Sequence, residues 1–163
     1  MTAITNFQLL ANFNTWANTK IFSACKKLDD AEYKKNRRAF FSSIHGTLNH
    51  LLVVDRTYIS RIKGIDHGLK SFDQILFESL LQLEEARIKE DKRLIDLVNS
   101  LSEESIHKEI TYKGFETGNT TYTINILLIT LFNHQTHHRG QIHNMLSQTG
   151  VKPPQIDIPD FIT

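Results

Sequence analysis

The chain has 163 residues, the size of one ordinary domain, and we expect a single domain over residues 1–163. Hydrophobic residues make up 40% of the sequence and charged residues 23%, a globular composition that excludes an intrinsically disordered chain. The 19 Lys and Arg residues nearly balance the 18 Asp and Glu residues. The resulting net charge of +1 excludes a strongly basic nucleic-acid-binding protein.

Neither the N-terminal segment nor the cysteine content predicts a secreted or membrane protein. The first 20 residues lack a basic start followed by a long apolar run, which argues against a signal peptide. The longest mostly apolar stretch, residues 124–132, is far shorter than the roughly 20 residues that span a bilayer. Cys25 is the only cysteine, which excludes an intrachain disulfide and a cysteine-based zinc cluster. We therefore expect a cytoplasmic protein that binds neither membranes nor nucleic acid.

Hydrophobic periodicity predicts four long helices, at about residues 6–28, 39–62, 71–98 and 123–148. All three prolines lie in the last eleven residues, so no proline interrupts these segments. Ser71 with Gln74 has the spacing of a capping box, which predicts the start of the third helix.

Residues 109–122 separate the third and fourth predicted helices and favour a different structure. Their threonines, tyrosines and glycines predict a short, irregular hairpin. Four long helices in one domain of this size argue for a bundle. The predicted fold class is therefore all-α, a four-helix bundle with this hairpin between helices three and four.

Four of the eight histidines lie in one ten-residue segment of the fourth predicted helix, at positions 134, 137, 138 and 143. His134 and His138 are four residues apart, so their imidazoles lie on one face and can chelate one divalent cation. Both fall on the apolar stripe of this helix, whereas His137 and His143 do not. No glutamate follows His134, so the pattern is not that of the zincins.

A metal site needs a third protein ligand, and the second predicted helix offers His45 and His50. Periodicity does not choose between these two histidines. Asp55 on the same helix could be a ligand, an acceptor for a histidine N–H, or a salt-bridge partner. The residues alone leave three explanations open: a three-histidine metal site, hydrogen-bonded structural histidines, and a metal-free acid–base site.

Four other residues of the fourth predicted helix have simpler predicted roles. Arg139 points about 100° away from the face of the histidine pair, which favours an ion pair or a dimer contact over a substrate clamp. Gly140 lies inside the helix and favours the close approach of a neighbouring helix. His137 and His143 are expected to be exposed or to support a ligand histidine.

Several segments resemble the DinB family of DNA-damage-inducible proteins, and the resemblance covers nearly the whole chain. The first helix carries Asn-Phe-Asn-Thr-Trp-Ala-Asn at residues 12–18, and the second carries a family-like segment at residues 43–56. The most specific element is His-His-Arg-Gly-Gln at residues 137–141, and the tail at residues 153–157 also matches. Where the family usually has a tryptophan after the aspartate of helix two, this chain has Tyr58, which we interpret as a packing variation.

The resemblance implies a four-helix bundle, usually dimeric, that holds a divalent metal through three histidines. One histidine comes from the second helix and two come from the fourth. Carried over by position, the metal ligands are His50, His134 and His138, so the resemblance selects His50 over His45. Zinc and nickel are the expected metals, because both accept imidazole ligands.

Relatives within the resembled superfamily include metal-dependent transferases that attach a low-molecular-weight thiol to an electrophile. The first hypothesis is therefore a metal-dependent thiol S-transferase acting on small electrophiles in stress or detoxification, with the metal-bound thiol or water as the reacting group. The second is a stress-induced metal-binding protein without catalysis. The third is a metal-dependent hydrolase of small amides or esters. The expected partners are a small molecule and a second copy of the chain.

Overall fold

The computed structural model describes residues 2–115 and 117–163. Within these residues there are four long helices, two short helices and a small sheet. The helices are α1 (Ala3–Cys25), α2 (Asp30–Lys34), α3 (Ile44–Lys63), α4 (Leu80–Asn99), α5 (Ile124–Leu146) and α6 (Ile158–Ile162). The strands are β1 (Glu109–Lys113) and β2 (Asn119–Thr123), and a 3-10 turn at Ser105–His107 precedes them. No helix of the described ranges is long and apolar enough to cross a membrane.

Among the four long helices, α1 packs against α4 and α5, and α3 packs against the same two helices. Their buried apolar side chains form two clusters, one towards each end of the helices. One cluster includes Ile21, Leu51 and Leu83, and the other includes Ile59 and Leu128. Between the two clusters, all four helices bury polar and charged side chains, so the core has apolar ends and a polar middle.

Two predicted helix starts are wrong, and side-chain hydrogen bonds explain why. The third long helix begins at Leu80 rather than at Ser71, because Ser79 caps it by accepting a hydrogen bond from the Gln82 amide. The second long helix begins at Ile44 rather than near residue 39, and Ser43 is its cap. The bounds of α1 and α5 lie close to the prediction.

The predicted all-α class is confirmed only in part: the protein is mostly helical, but β1 and β2 form a two-stranded antiparallel sheet. The strands pair in regular register from Glu109↔Thr123 to Lys113↔Asn119, where the sequence predicted an irregular hairpin. The side chains of Thr111 and Thr121 hydrogen-bond across the pair at 2.8 Å. Residue 116 of the predicted hairpin lies outside the described residues. The protein is thus mostly helical with a small sheet, which contacts α3 and α5.

No other helix of the described residues approaches Gly140, so the prediction of a close helix neighbour is wrong within the chain. It is exposed on α5, and a Cβ atom there would meet no atom of the described residues within 4 Å beyond its own stretch of helix.

We expect Gly140→Ala to raise the free energy of unfolding by about 0.5–1 kcal/mol, because alanine loses less backbone entropy in a helix. Urea unfolding measures the change. Gly46→Ala is the contrasting control and should destabilise, because its Cβ would overlap the Phe41 carbonyl oxygen. A less stable Gly140→Ala protein would contradict the prediction.

Candidate metal centre

Three histidines from two helices meet at one place, His50 from α3 with His134 and His138 from α5. One ring nitrogen from each lies within 4.8 Å of the other two. His50 Nε2 and His134 Nε2 lie 2.9 Å apart. The structure therefore brings together the three residues predicted as ligands, and we call them the His triad. Their ligand role stays a prediction.

The donor set of the His triad fits a divalent cation. A tetrahedral zinc site with bonds of about 2.0–2.1 Å spaces its nitrogens roughly 3.3 Å apart, and the distances above bracket that spacing. Two imidazole nitrogens at 2.9 Å cannot both present lone pairs to each other without a proton or a cation between them. His134 Nδ1 is buried and has no hydrogen-bond partner among the described residues, so that nitrogen is unsatisfied.

Hydrogen bonds on the far side of two rings orient the triad. His50 Nδ1–H is placed to donate to the Phe72 carbonyl oxygen at 2.7 Å, and His138 Nδ1–H to Gln141 Oε1 at 2.8 Å. With the proton on Nδ1, each Nε2 presents its lone pair towards the centre of the triad. Phe41 also stacks on the ring of His50, with centroids 3.7 Å apart. These contacts fix the tautomer and the direction of the rings.

The triad is neutral at pH 7, because burial disfavours the charged imidazolium. Burial, with a smaller contribution from His138, lowers the pKa of His50 to about 4, against the opposing effect of the hydrogen bond to Phe72. Burial and the neighbouring histidines lower the pKa of His134 to about 3, and burial also lowers the pKa of His138. Neutral imidazole is the form that binds metal, so a cation need not displace protons there at pH 7.

The other histidines considered in the sequence lie outside the triad. His45 Nε2 hydrogen-bonds to the Phe77 carbonyl oxygen at 3.0 Å, so His45 has a structural partner of its own. His137 and His143 are exposed, as predicted. His137 Nε2 accepts a hydrogen bond from Gln141 Nε2 at 3.1 Å, which orients the amide that faces His138.

Asp55 is a salt-bridge partner, one of the three roles left open for it. Its carboxylate is fully buried and lies 2.8 Å from Arg87 Nη2, while Gln135 donates a hydrogen bond to its other oxygen. Arg87 Nε also lies 3.0 Å from Asp91 on α4. The contacts of Arg87 are close charge contacts rather than aligned hydrogen bonds.

Arg139 is a core residue of this network rather than a dimer contact. It is 3% exposed and donates hydrogen bonds to Asn14, Asn18 and Gln135. Asn14 and Asn18 also donate to Asp91, which closes a ring of polar side chains through all four long helices. We call this ring the buried network; its members are Asn14, Asn18, Asp55, Arg87, Asp91, Gln135 and Arg139. Two of its members adjoin the triad in the chain, since Gln135 and Arg139 directly follow His134 and His138 in α5.

Two partners of the triad were not recognised in the sequence. Gln141 follows His138 by three residues on one helix, so its i, i+3 spacing was a usable signal. The Phe72 carbonyl had no such signal, because any residue carries a carbonyl and only the path of the 64–79 loop brings this one to His50. Asn49 holds that loop in place, since its Oδ1 accepts from the amides of Leu76 and Phe77.

We expect Asn49→Ala to lower the free energy of unfolding by about 1–3 kcal/mol, because it leaves the half-buried amides of Leu76 and Phe77 without their acceptor. Asn49 also donates to the carbonyls of His45 and Phe77, so four hydrogen bonds are lost together. Hydrogen exchange should show faster exchange at the Leu76 and Phe77 amides than in the original protein. Unchanged protection of both amides would show that Asn49 does not hold the loop.

The triad lines a cleft of about 840 Å³. Aromatic side chains dominate its wall, and the described charged residues in the lining are Lys70 and Asp73, both exposed. Clefts of this size hold small organic molecules, and a ligand could reach the triad from solvent.

Comparisons with known proteins identify the family of the chain. A family model described as DinB family matches residues 1–163. The chain belongs to the DinB family. It is 30% identical over 150 residues to Protein DinB of Bacillus subtilis (strain 168), which covers 86% of this chain and 84% of that protein. The family resemblance drawn from the sequence is thereby confirmed.

One further protein and one solved structure are also similar to this chain. The uncharacterized protein YizA of Bacillus subtilis (strain 168) is 26% identical over 130 residues, or 80% of this chain and 79% of that protein. A crystal structure of a DinB-like protein from Bacillus cereus ATCC 10987 superposes with a TM-score of 0.64. It covers 88% of this chain and 92% of that chain at 19% identity, so it shows a shared fold.

Proposed function

We propose that this DinB-family chain binds one divalent metal through His50, His134 and His138 and uses it to activate a low-molecular-weight thiol for transfer to a small electrophile. The observation that carries the proposal is the clustering of three neutral imidazoles on the wall of an open cleft. Three imidazoles leave the double positive charge of the metal uncompensated, which favours an anionic ligand such as a thiolate.

The His triad would hold zinc or nickel, and such an ion lowers the pKa of a coordinated thiol or water. The Phe72 carbonyl and Gln141 keep the ligand rings of His50 and His138 in the metal-binding tautomer. In the transfer, the thiol gives its proton to solvent and its sulfur forms a bond to the electrophilic carbon. The leaving group departs with the electron pair of its former bond.

The thiol must come from a separate molecule. Cys25, the only cysteine of the sequence, is fully buried in α1, and burial raises the pKa of its thiol to about 12. A protonated thiol without access to solvent is a poor nucleophile. This supports an exogenous low-molecular-weight thiol over a thiol of the chain itself.

The proposal includes the assembly and location that the family resemblance implies: a four-helix bundle that forms a homodimer in the cytoplasm. Contacts of α1 with α4 and α5, and of α3 with the same two helices, support the bundle. Sedimentation velocity tests the dimer, which should appear at twice the mass of the chain. A monomer at micromolar concentration would contradict it.

The experiment is a transfer assay with protein loaded with zinc or nickel. Cysteine, glutathione and coenzyme A serve as thiols, 1-chloro-2,4-dinitrobenzene serves as the electrophile, and the adduct is followed by absorbance. We expect thiol-dependent turnover that disappears in His138→Ala and persists in His143→Ala, whose side chain is exposed on the same helix. Metal binding without turnover would favour the non-catalytic role. Turnover of nitrophenyl esters or anilides without thiol would favour the hydrolase.

A further inference from the structure

A tight turn before α3 presents two consecutive phenylalanines beside the His triad. The Ser42 amide donates to the Ala39 carbonyl at 2.8 Å, with Phe40 and Phe41 at the corner of the turn. Arg38 and Ser42, on either side, have φ angles of 58° and 63°. Residues other than glycine rarely adopt this left-handed conformation, and such strain concentrates at ligand-binding sites.

The two rings of this turn have very different surroundings. Phe41 stacks on His50 and meets His138 edge-on with centroids 5.5 Å apart, so it packs against the triad itself. Phe40 packs edge-on against Phe41, with centroids 4.8 Å apart, yet its side chain is 85% exposed. It lines the cleft, and it is the most exposed of the large hydrophobic side chains in the described part of the chain. An aromatic ring held at a cleft in this way lacks a partner that would remove it from water.

A second aromatic pair lines the same cleft. Phe72 and Phe115 meet edge-on with centroids 4.6 Å apart, and Phe72 is 37% exposed. The backbone carbonyl oxygen of Phe72 accepts the hydrogen bond from His50. This second pair is therefore attached to the triad, as Phe41 is through its stacking on His50. Both aromatic pairs therefore contact the His triad, one through Phe41 on His50 and His138 and the other through Phe72 on His50.

The charged side chains of the cleft favour an uncharged ligand. Lys70 and Asp73 carry opposite charges, and both are exposed, so they leave the lining without a net charge. Away from the imidazole nitrogens, an aromatic wall whose side-chain charges cancel binds a flat apolar molecule better than a charged one.

We propose that the electrophile accepted by this cleft is a small, uncharged aromatic molecule, and that Phe40 is the residue that selects for its ring. This rests on the proposed function in that the His triad supplies the activated thiol next to the ring. Phe40 covers one face of the bound ring and is thereby removed from water. Burying one aromatic ring against another corresponds to about 10- to 100-fold in Kd.

The first test needs no metal and no turnover. Prodan, an uncharged naphthalene dye, is titrated into metal-free protein and its fluorescence is followed. We expect Phe40→Ala to weaken binding at least tenfold and Phe40→Tyr to retain it. Ile88→Ala, which removes an apolar side chain that is also exposed (60%) but lies on α4 and outside the cleft lining, should bind as the original protein does. Equal binding of prodan by Phe40→Ala and the original protein would overturn the proposal.

The second test uses the transfer assay with metal-loaded protein. Phe40→Ala should raise the KM for 1-chloro-2,4-dinitrobenzene at least tenfold and leave the KM for iodoacetamide, an aliphatic electrophile, within about twofold. An equal rise in KM for both electrophiles would overturn the proposal. A lower sedimentation coefficient of Phe40→Ala would also overturn it, because Phe40 would then be a contact between two copies of the chain. If metal binds but nothing turns over, the proposed function fails, and the prodan titration still decides the role of Phe40.

Discussion

Purified protein is expected to carry about one zinc or nickel ion per chain, and the His138→Ala variant is expected to carry none. Removing an outer hydrogen-bond partner of a ligand histidine typically lowers metal affinity 10- to 100-fold, so removal of one of three ligands should cost more than about 100-fold. Plasma mass spectrometry gives the metal content, and competition with a chromophoric chelator gives the affinity. The circular dichroism of both metal-free proteins should match, which separates ligand loss from unfolding.

Three further variants sharpen this metal prediction. Gln141→Ala removes the acceptor of His138 Nδ1–H and should weaken binding by about 10- to 100-fold without abolishing it. His45→Ala and His143→Ala should retain the metal, because neither side chain belongs to the His triad. Full metal content in His138→Ala, or loss of metal in His143→Ala, would show that the metal binds elsewhere.

Arg87→Met is expected to lower the free energy of unfolding by about 3–5 kcal/mol at pH 7. Arg87 is 3% exposed and lies between the buried carboxyl groups of Asp55 and Asp91, so its removal takes away the guanidinium that contacts both of them. Urea unfolding measures the loss. Lys26→Ala is the control, because its ion pair with Glu84 at 2.8 Å is partly exposed and should contribute about 0.2–1 kcal/mol.

The loss in Arg87→Met should also depend on pH. Burial raises the pKa of Asp55 to about 6 even though Arg87 opposes the shift, so without Arg87 the carboxyl should favour its protonated form still more. A carboxyl whose pKa is higher in the folded than in the unfolded state costs no stability below its unfolded pKa. Its cost appears as the pH rises through the folded pKa. Arg87→Met should therefore lose less stability at pH 5 than at pH 8, and a loss below 1 kcal/mol at both would contradict the role of Arg87.

Features that depend on one helix were predictable from the residues alone. The long first and last main helices follow from apolar periodicity without an interrupting proline, and α1 and α5 lie close to their predicted bounds. The pairing of His134 with His138 follows from the same period, because residues four apart share a face in any α-helix. Family resemblance was needed to prefer His50 to His45, since both lie on one helix and neither faced the centre of its stripe.

Loop paths and helix ends were not predictable in this way. Ser71 has the spacing of a capping box, yet residues 64–79 form a loop, because Asn49 on α3 accepts hydrogen bonds from the Leu76 and Phe77 amides. Arg139 appeared to point away from any site, but its guanidinium is buried among side chains of α1 and α5. In both places a partner more than 20 residues away decides the outcome, and local periodicity carries no information about it.

The residues by themselves determined the family, the positions of the main helices and the histidine pair of α5, because each depends on local spacing or a contiguous motif. Only the tertiary structure decided that His50 meets that pair, that Asp55 and Arg139 belong to the buried network, and that Phe40 stands exposed beside the imidazoles. The physical reason is that α3 and α5 are brought side by side by side-chain packing and hydrogen bonds between residues that lie far apart in the sequence.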